Sequence, residues 1–346
     1  MAGTAGMSSP APVMADVARL AGVSLQTVSR VVNDAPNVSG PTRARVLAVM
    51  DELGYRRNAV ARALATRRSG IIGVLTIDVV LRGPQQMLYG VERAASRLGL
   101  GVAVAVVDRV TPDGIRRALG RLQDQGVEGV VALAPHEDAV PVLTASLSAM
   151  PAVLVGGHRA ADGPNLPTVE LDHHGGAVAA TRYLLELGHR TVHHLAGPPR
   201  WLPSRRRIEG WSGALAAAGA RRPEPRRGEW TARSGHAVMR ELLADDPGLT
   251  SVFVANDQMA LGALAALTDA GRRVPDDVSM IGFDDTPEAP FFRPALTTVC
   301  PRFDDAGNRA VRMLLAAIRP DDAPAAPGSQ LVPVELVVRA STGPPP

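Results

Sequence analysis

The 346-residue chain predicts an α/β protein in two unequal parts, a small helical N-terminal module and a larger body of parallel, doubly wound sheets. Three observations predict it. Residues 13–56 carry apolar side chains at helical spacing between cap and stop signals. From Ile71 onward, short apolar runs rich in β-branched residues alternate with helical stretches. Charge also divides the chain: residues 1–70 hold nine arginines against four acids, a balance of +5 that leaves −2 for the remainder within a total of +3. A basic module on a near-neutral body is the electrostatic footprint of a nucleic-acid binder, because phosphate neutralisation supplies much of such affinity.

Composition bounds the rest. With 46% hydrophobic and 21% charged residues the chain can bury a large core and is not a disordered one. No uninterrupted apolar run of about 18 residues is present, so no membrane span is expected. Met1–Pro12 lacks the basic and apolar regions of a secretory leader and reads as a tail. A single cysteine, Cys300, has no internal disulfide partner and fits a reducing compartment, so the expected location is cytoplasmic, on the nucleoid.

The elements follow in order. Val17, Leu20 and Ala21 mark a first helix over Met14–Ala21, ended by Gly22. Ser24 can cap a second, Leu25–Asn33, with Val28, Val31 and Val32 on one face. After a loop to Asn37, Ser39 can cap a third from Pro41 to Leu53, stopped by Gly54. Residues 57–70 have good helix formers but one large apolar residue, Leu64, and read as a linker helix that folds only against a partner. Strands are expected at 71–77, 102–107, 129–133, 152–156, 192–196, 251–255 and 279–283, with helices such as Gln85–Leu98 and Gln258–Ala270 between them. This is too much for one sheet, so two lobes with a cleft are expected, breaking near Pro167–Glu170 and crossing back from Cys300 onward.

The second helix divides its faces as a recognition helix must. Leu25, Gln26, Ser29, Arg30 and Asn33 fall away from the valine face; glutamine suits adenine and arginine suits guanine, while Ser24 at the helix start suits both capping and a phosphate. DVARLAGVSLQTVSRVVN (16–33) and VSGPTRARVLAVMDELGYRRNAVARAL (38–64) resemble the headpiece and hinge of the LacI/GalR family of bacterial transcription regulators. The resemblance implies that Leu25, Gln26 and Arg30 read bases, and that Val13, Ser24, Ser29, Asn33, Asn37, Ser39, Thr42 and Asn58 lie on or near the DNA backbone. It makes 58–66 a hinge helix, with Ala61 and Leu64 at the DNA and Leu64 as a minor-groove wedge. Leu25 stands where the lactose repressor branch has a tyrosine, which implies a different operator.

The likeness continues through VANDQMALGALAALTDAGRRVPDDVSMIGFDDT (254–286), PALTTV (294–299) and LAGPPRWLPSRRRIEGW (195–211), where it is closest to the lactose repressor branch. It implies a core like periplasmic sugar-binding proteins, with a sugar effector in the cleft. Leu81, Pro84, Arg207, Trp230, Asn256, Asp284 and Phe303 match effector positions. Gly156 and Pro301 depart from that branch, which has an aspartate and a glutamine there, so the sugar itself is left open. The chain lacks that branch's leucine-heptad extension, so a twofold homodimer on a pseudo-palindromic operator is expected rather than a tetramer.

The implied domains are a headpiece at 13–57, a hinge and linker at 58–69, and a core at 70–340. Lobe one takes about 70–169 and 300–328, and lobe two about 170–299 and 329–340. The function implied is a repressor of carbohydrate-utilisation genes released by a sugar, with no enzyme activity, cofactor, metal or membrane partner. The alternative is a sugar-processing enzyme or solute-binding protein using the same cleft. Neighbouring Asp284 and Asp285 would diverge at a strand end, unlike a paired-carboxylate glycosidase, and His173–His174 and His193–His194 lack a third ligand at metal spacing.

Overall fold

The computed structural model describes residues 12–32, 35–55, 68–77, 81–107, 110–134, 136–156, 166–320 and 328–346. The chain divides between Ser69 and Gly70 into two units. In the first, α1 (Met14–Ala21), α2 (Leu25–Val32) and α3 (Gly40–Glu52) close on Val17, Ala18, Ala21, Val28, Val31, Val32, Val46 and Tyr55. Gly22 takes a left-handed φ of 62°, and Val23 N–H returns to the Ala18 carbonyl at 3.0 Å, which turns the chain sharply into α2. Ser24 Oγ then accepts the Thr27 N–H at 3.1 Å, so the expected cap is made.

Two expectations fail here. Leu20 is exposed, and Ala18 completes the inward stripe with Val17 and Ala21, since these three lie within roughly a 100° arc of the helix that leaves Leu20 to one side. The third helix starts at Gly40, and Ser39 makes no cap bond; its hydroxyl donates instead to Thr42 Oγ1 at 2.9 Å. The expected hinge helix, with Asn58, Ala61 and Leu64, lies outside the described residues, as does Asn33.

The second unit contains two six-stranded sheets. The first is built from β1 (Ile71–Ile77), β2 (Gly101–Val107), β3 (Val130–Leu133), β4 (Ala152–Val155), β5 (Thr168–Leu171) and, late in the chain, β11 (Ser329–Val332). Their order is β11-β5-β4-β3-β1-β2, every pair parallel. Alternation at period two sends Ile72, Val74, Val131, Leu133, Val153 and Val155 toward α4 (Arg82–Arg97) and α11 (Phe303–Ile318). Leu75, Ile77, Val130, Ala132 and Leu154 turn to the other face, against α5 (Pro112–Asp124) and α6 (Ala139–Leu147).

The second sheet is built from β6 (His193–Ala196), β7 (Arg226–Arg227), β8 (Ser251–Val254), β9 (Ser279–Phe283), β10 (Thr297–Pro301) and β12 (Val334–Val337), ordered β12-β10-β9-β8-β6-β7 with only β12 antiparallel among its described pairings. It is covered by α7 (His173–Glu186), α8 (Leu202–Ala217), α9 (Ala232–Asp245) and α10 (Asp257–Asp269).

The chain passes between the sheets three times, each time across one residue: Asp172 between β5 and α7, Arg302 between β10 and α11, and Pro333 between β11 and β12. The break expected near Pro167–Glu170 therefore falls just beyond it, at Asp172, since Thr168–Leu171 is a first-sheet strand. Residues 329–332 likewise pair with β5 in lobe one rather than joining lobe two, because Pro333 splits the final apolar run into strands of different sheets.

Helices α9 and α10 cross at two glycines. A Cβ on Gly262 would lie 1.8 Å from the Ala232 carbonyl oxygen, and one on Gly235 would lie 2.1 Å from that of Met259. Gly262→Ala is expected to destabilise the core by about 1–3 kcal/mol or more through overpacking. Gly120→Ala in α5, where a Cβ meets nothing within 4 Å, should instead add up to about 1 kcal/mol through helix propensity. Urea unfolding of the two variants beside the parent chain checks both signs.

Candidate functional site

On the first unit, α2 presents Leu25, Gln26 and Arg30 to solvent and buries Val28, Val31 and Val32 behind them. Leu25, at the start of α2, is 53% exposed. Val13, Ser24, Asn37 and Ser39 are also exposed, and Ser29 and Thr42 are half-buried. The polar edge of α2 thus faces solvent while its valine face holds it to α1 and α3.

In the second unit a cavity of about 390 Å³ collects all seven residues expected at the effector site. Leu81, Pro84 and Phe303 come from the first lobe and the crossing after β10; Arg207, Trp230, Asn256 and Asp284 come from the second. Asp284 directly follows β9 and Asn256 comes two residues after β8, at the carboxyl ends where open parallel sheets place ligands.

Arg207 is the centre of the arrangement. The residue is 3% exposed, and its guanidinium lies 3.6 Å over the Phe283 ring and 5.6 Å from that of Trp230 and donates to the Ala255 carbonyl, to Asp284 Oδ1 at 3.5 Å and to His173 Nδ1 at 3.3 Å. Since arginine can only donate, His173 accepts at Nδ1 and its neutral ring carries the proton on Nε2. Trp230 takes a left-handed φ of 64°, which is strained for a bulky residue. Asn256 Nδ2 holds it by donating to the Trp230 carbonyl at 3.1 Å, while Asn256 Oδ1 caps α10 through Met259 N–H at 2.9 Å. Gly197 makes room for the indole: a Cβ there would lie 2.2 Å from the ring. Asn256 is therefore largely committed to positioning Trp230.

Residues 13–58 match bacterial regulatory proteins of the lacI family, and residues 181–342 match a periplasmic binding protein-like domain. Over 329 residues the chain is 37% identical to the lactose operon repressor of Escherichia coli (strain K12), covering 94% of this chain and 89% of that protein. The chain belongs to the lacI family. The HTH-type transcriptional regulator CelR of Thermobifida fusca is 36% identical over 338 residues, 94% of this chain and 95% of that one. Among solved structures, the lac repressor dimer bound to operator and the anti-inducer ONPF matches with a TM-score of 0.83 at 36% identity, covering 96% of this chain and 100% of that one. A complex of the transcriptional regulator CelR with cellobiose matches with a TM-score of 0.71 at 32% identity, covering 95% and 99%.

In this lacI-family cavity several lining residues were not singled out from the sequence: Arg82, Leu133, Val155, His173 and Trp201 among them. Trp201 carried a signal, because it directly precedes α8 in a loop beyond the carboxyl end of β6. Its ring meets Trp230 edge-on at 5.7 Å and His136 at 4.4 Å. His173 was discounted with its neighbour as a metal pair, and no group of three or more His, Cys, Asp or Glu that could hold a metal occurs among the described residues. Gly156 lines the cavity, whereas Pro301 is buried at the end of β10 outside its lining. Asp284 and Asp285 diverge: Asp285 bonds Arg339 at 2.7 Å. No helix among the described residues is long and apolar enough to cross a membrane.

Burial governs the charges. It pushes Asp284 up to about 6, tempered by Arg207 and Arg82, and lowers Arg207 to about 10, which leaves the arginine protonated at neutral pH. Asp257 is pushed up to about 7 by burial and then by the Asp284 charge, despite bonds from Thr298 Oγ1 at 2.6 Å and Thr286 N–H at 2.8 Å. A carboxyl with a raised folded-state value binds its proton more tightly when folded, so it contributes stability at low pH that is lost as pH rises. For Asp257 the window runs from the ordinary 3.8 to about 7. Asp257→Asn, which removes this titration, should therefore gain stability relative to the parent chain as pH rises from 5 to 8, measured by denaturant unfolding at several pH values. A constant difference across that range would contradict the assignment.

Proposed function

We propose that the protein is a transcriptional repressor of carbohydrate-utilisation genes. As a homodimer it holds a pseudo-palindromic operator through two headpieces, and a sugar entering the core cavity releases it. The observation that carries this reading is the buried Arg207–Asp284 pair beneath aromatic rings, in a cavity at the carboxyl ends of two sheets. A pyranose offers hydroxyl pairs to a carboxylate and a fork-shaped donor, and an apolar face to an indole. Among the described residues Trp230 Nε1 and Arg207 Nε are buried without a hydrogen-bond partner, and a ligand oxygen would satisfy such donors.

At the other end of the chain, Gln26 and Arg30 reach base edges in the major groove, Leu25 supplies an apolar contact for a thymine methyl, and Leu64 acts as the family's minor-groove wedge. Sugar and DNA then bind different arrangements of the two lobes, with a coupling of about 1–3 kcal/mol between the sites. The names of the relatives support repression and a sugar ligand: one is an operon repressor, and another is solved with cellobiose.

Fluorescence anisotropy on the DNA upstream of the protein's own gene, at fixed salt, tests the whole reading. Leu64→Ala is expected to weaken specific binding far more than non-specific binding; an equal loss would remove the wedge. Asp284→Asn keeps the size and the left-handed tolerance of the position and should raise the sugar concentration needed for release by about 10-fold or more. Loss of operator binding in that variant would assign Asp284 a structural role instead.

A further inference from the structure

Asp257 is a buried carboxylate that stands outside the lining of the cavity. It lies in the first turn of α10, where an aspartate usually faces solvent and complements the helix dipole, yet it is 0% exposed. The cap of that helix is made by its neighbour Asn256, through Met259 N–H, so capping does not account for the burial. A carboxylate taken out of water is costly unless its oxygens are bonded.

Its partners belong to the strands and turn that carry Asp284. Oδ2 accepts Thr286 N–H at 2.8 Å, and Oδ1 accepts Thr298 Oγ1 at 2.6 Å. Thr286 lies in the turn after β9, and Thr298 lies in β10 beside Val299, whose carbonyl accepts Asp284 N–H at 2.8 Å. The bonds form a ring: from Asp284 to β10, from β10 to Asp257, and from Asp257 back to the turn. Gly282, two residues before Asp284, makes room for it, since a Cβ there would lie 2.2 Å from Asp257 Oδ1. Asp284 and Asp285 take φ values of 105° and 44°, and such backbone persists only where its surroundings over-determine it. Asn256, one residue before Asp257, holds Trp230. Consecutive side chains at the start of α10 thus fix two walls of the cavity.

We propose that Asp257 is the positioning residue for Asp284. By pinning the turn at Thr286 it holds the Asp284 carboxylate against Arg207, at a set spacing from Trp230, and so governs affinity for a hydroxylated ligand that it does not touch. This rests on the sugar-effector reading and extends the site to Asp257 and Thr298, outside the cavity wall.

Asp257→Asn keeps the size of the side chain but turns an amide NH2 toward one of the two donors. Because Asp257 acts through Asp284, the substitution should raise the sugar Kd about 10-fold in the parent chain and less than about 2-fold in a chain already carrying Asp284→Asn. Isothermal titration of the full chain with glucose, galactose, cellobiose and lactose reads both factors, on the sugar that binds the parent most tightly. It is run at pH 8, above the value of about 7 to which burial pushes Asp257. Equal factors in the two backgrounds overturn the proposal and leave Asp257 a general structural residue. Thr298→Val, which removes the hydroxyl donor, should show the same dependence on background and serves alone if the Asp257 variant does not fold. Hydrogen exchange read by mass spectrometry needs no ligand: amides 284–289 should exchange at least about 5-fold faster in Asp257→Asn. An unchanged rate overturns the proposal while the sugar reading stands. A parent chain that binds no sugar of the four removes the effector reading, and the role of Asp257 with it.

Discussion

A guanidinium taken out of water is the constraint around which the core is arranged. Burying Arg207 is expensive, and the structure compensates with Asp284, the Ala255 carbonyl, the face of Phe283 and the more distant charge of Asp257. Those partners come from the ends of β8 and β9, so the strands must finish where they do and the chain beyond them must turn at once. The positive φ values of Asp284 and Asp285 are the local cost of the turn after β9, and Trp230 shows the same strain in the loop after β7. They are held by neighbouring bonds such as Asn256 to Trp230 and Arg339 to Asp285.

Much of this was legible in the amino-acid order because burial imposes a period. Val28, Val31 and Val32 marked the inward face of α2, and Ile71–Ile77 and Ser279–Phe283 carried strand character over the spans the structure gives them. Position failed where i, i+3, i+4 spacing fitted two faces of one helix, and the face with Ala18 rather than the one with Leu20 turned inward. It also failed where short strands met prolines. Thr168–Leu171 follows Pro167 and looked like a break, and the Pro333 boundary between β11 and β12 could not be placed without knowing which sheet each half would join.

The site was legible in a different way. Its seven effector positions came from family likeness, and the structure gathers them around one cavity. Periodicity alone could not have assembled Leu81 with Asp284, because residues some two hundred apart meet only once both sheets exist. His173 and Trp201 escaped because a half-buried histidine that accepts from an arginine, and a tryptophan just before a helix, look like ordinary packing residues in one dimension.

The three single-residue crossings at Asp172, Arg302 and Pro333 limit the mechanical freedom of the core. Two bodies joined by three such short struts cannot drift apart, so the freest motion left to them is rotation of one lobe against the other. Whatever occupies the cleft can therefore be registered only as an angle between lobes, set by how closely their walls approach across the ligand. Lengthening one strut by a few residues would add little loop-closure entropy, yet it would loosen that axis and blur the angle for every ligand alike. The fidelity of the signal thus resides in the shortness of Asp172, Arg302 and Pro333 as connections, independently of the chemistry of the cavity they border.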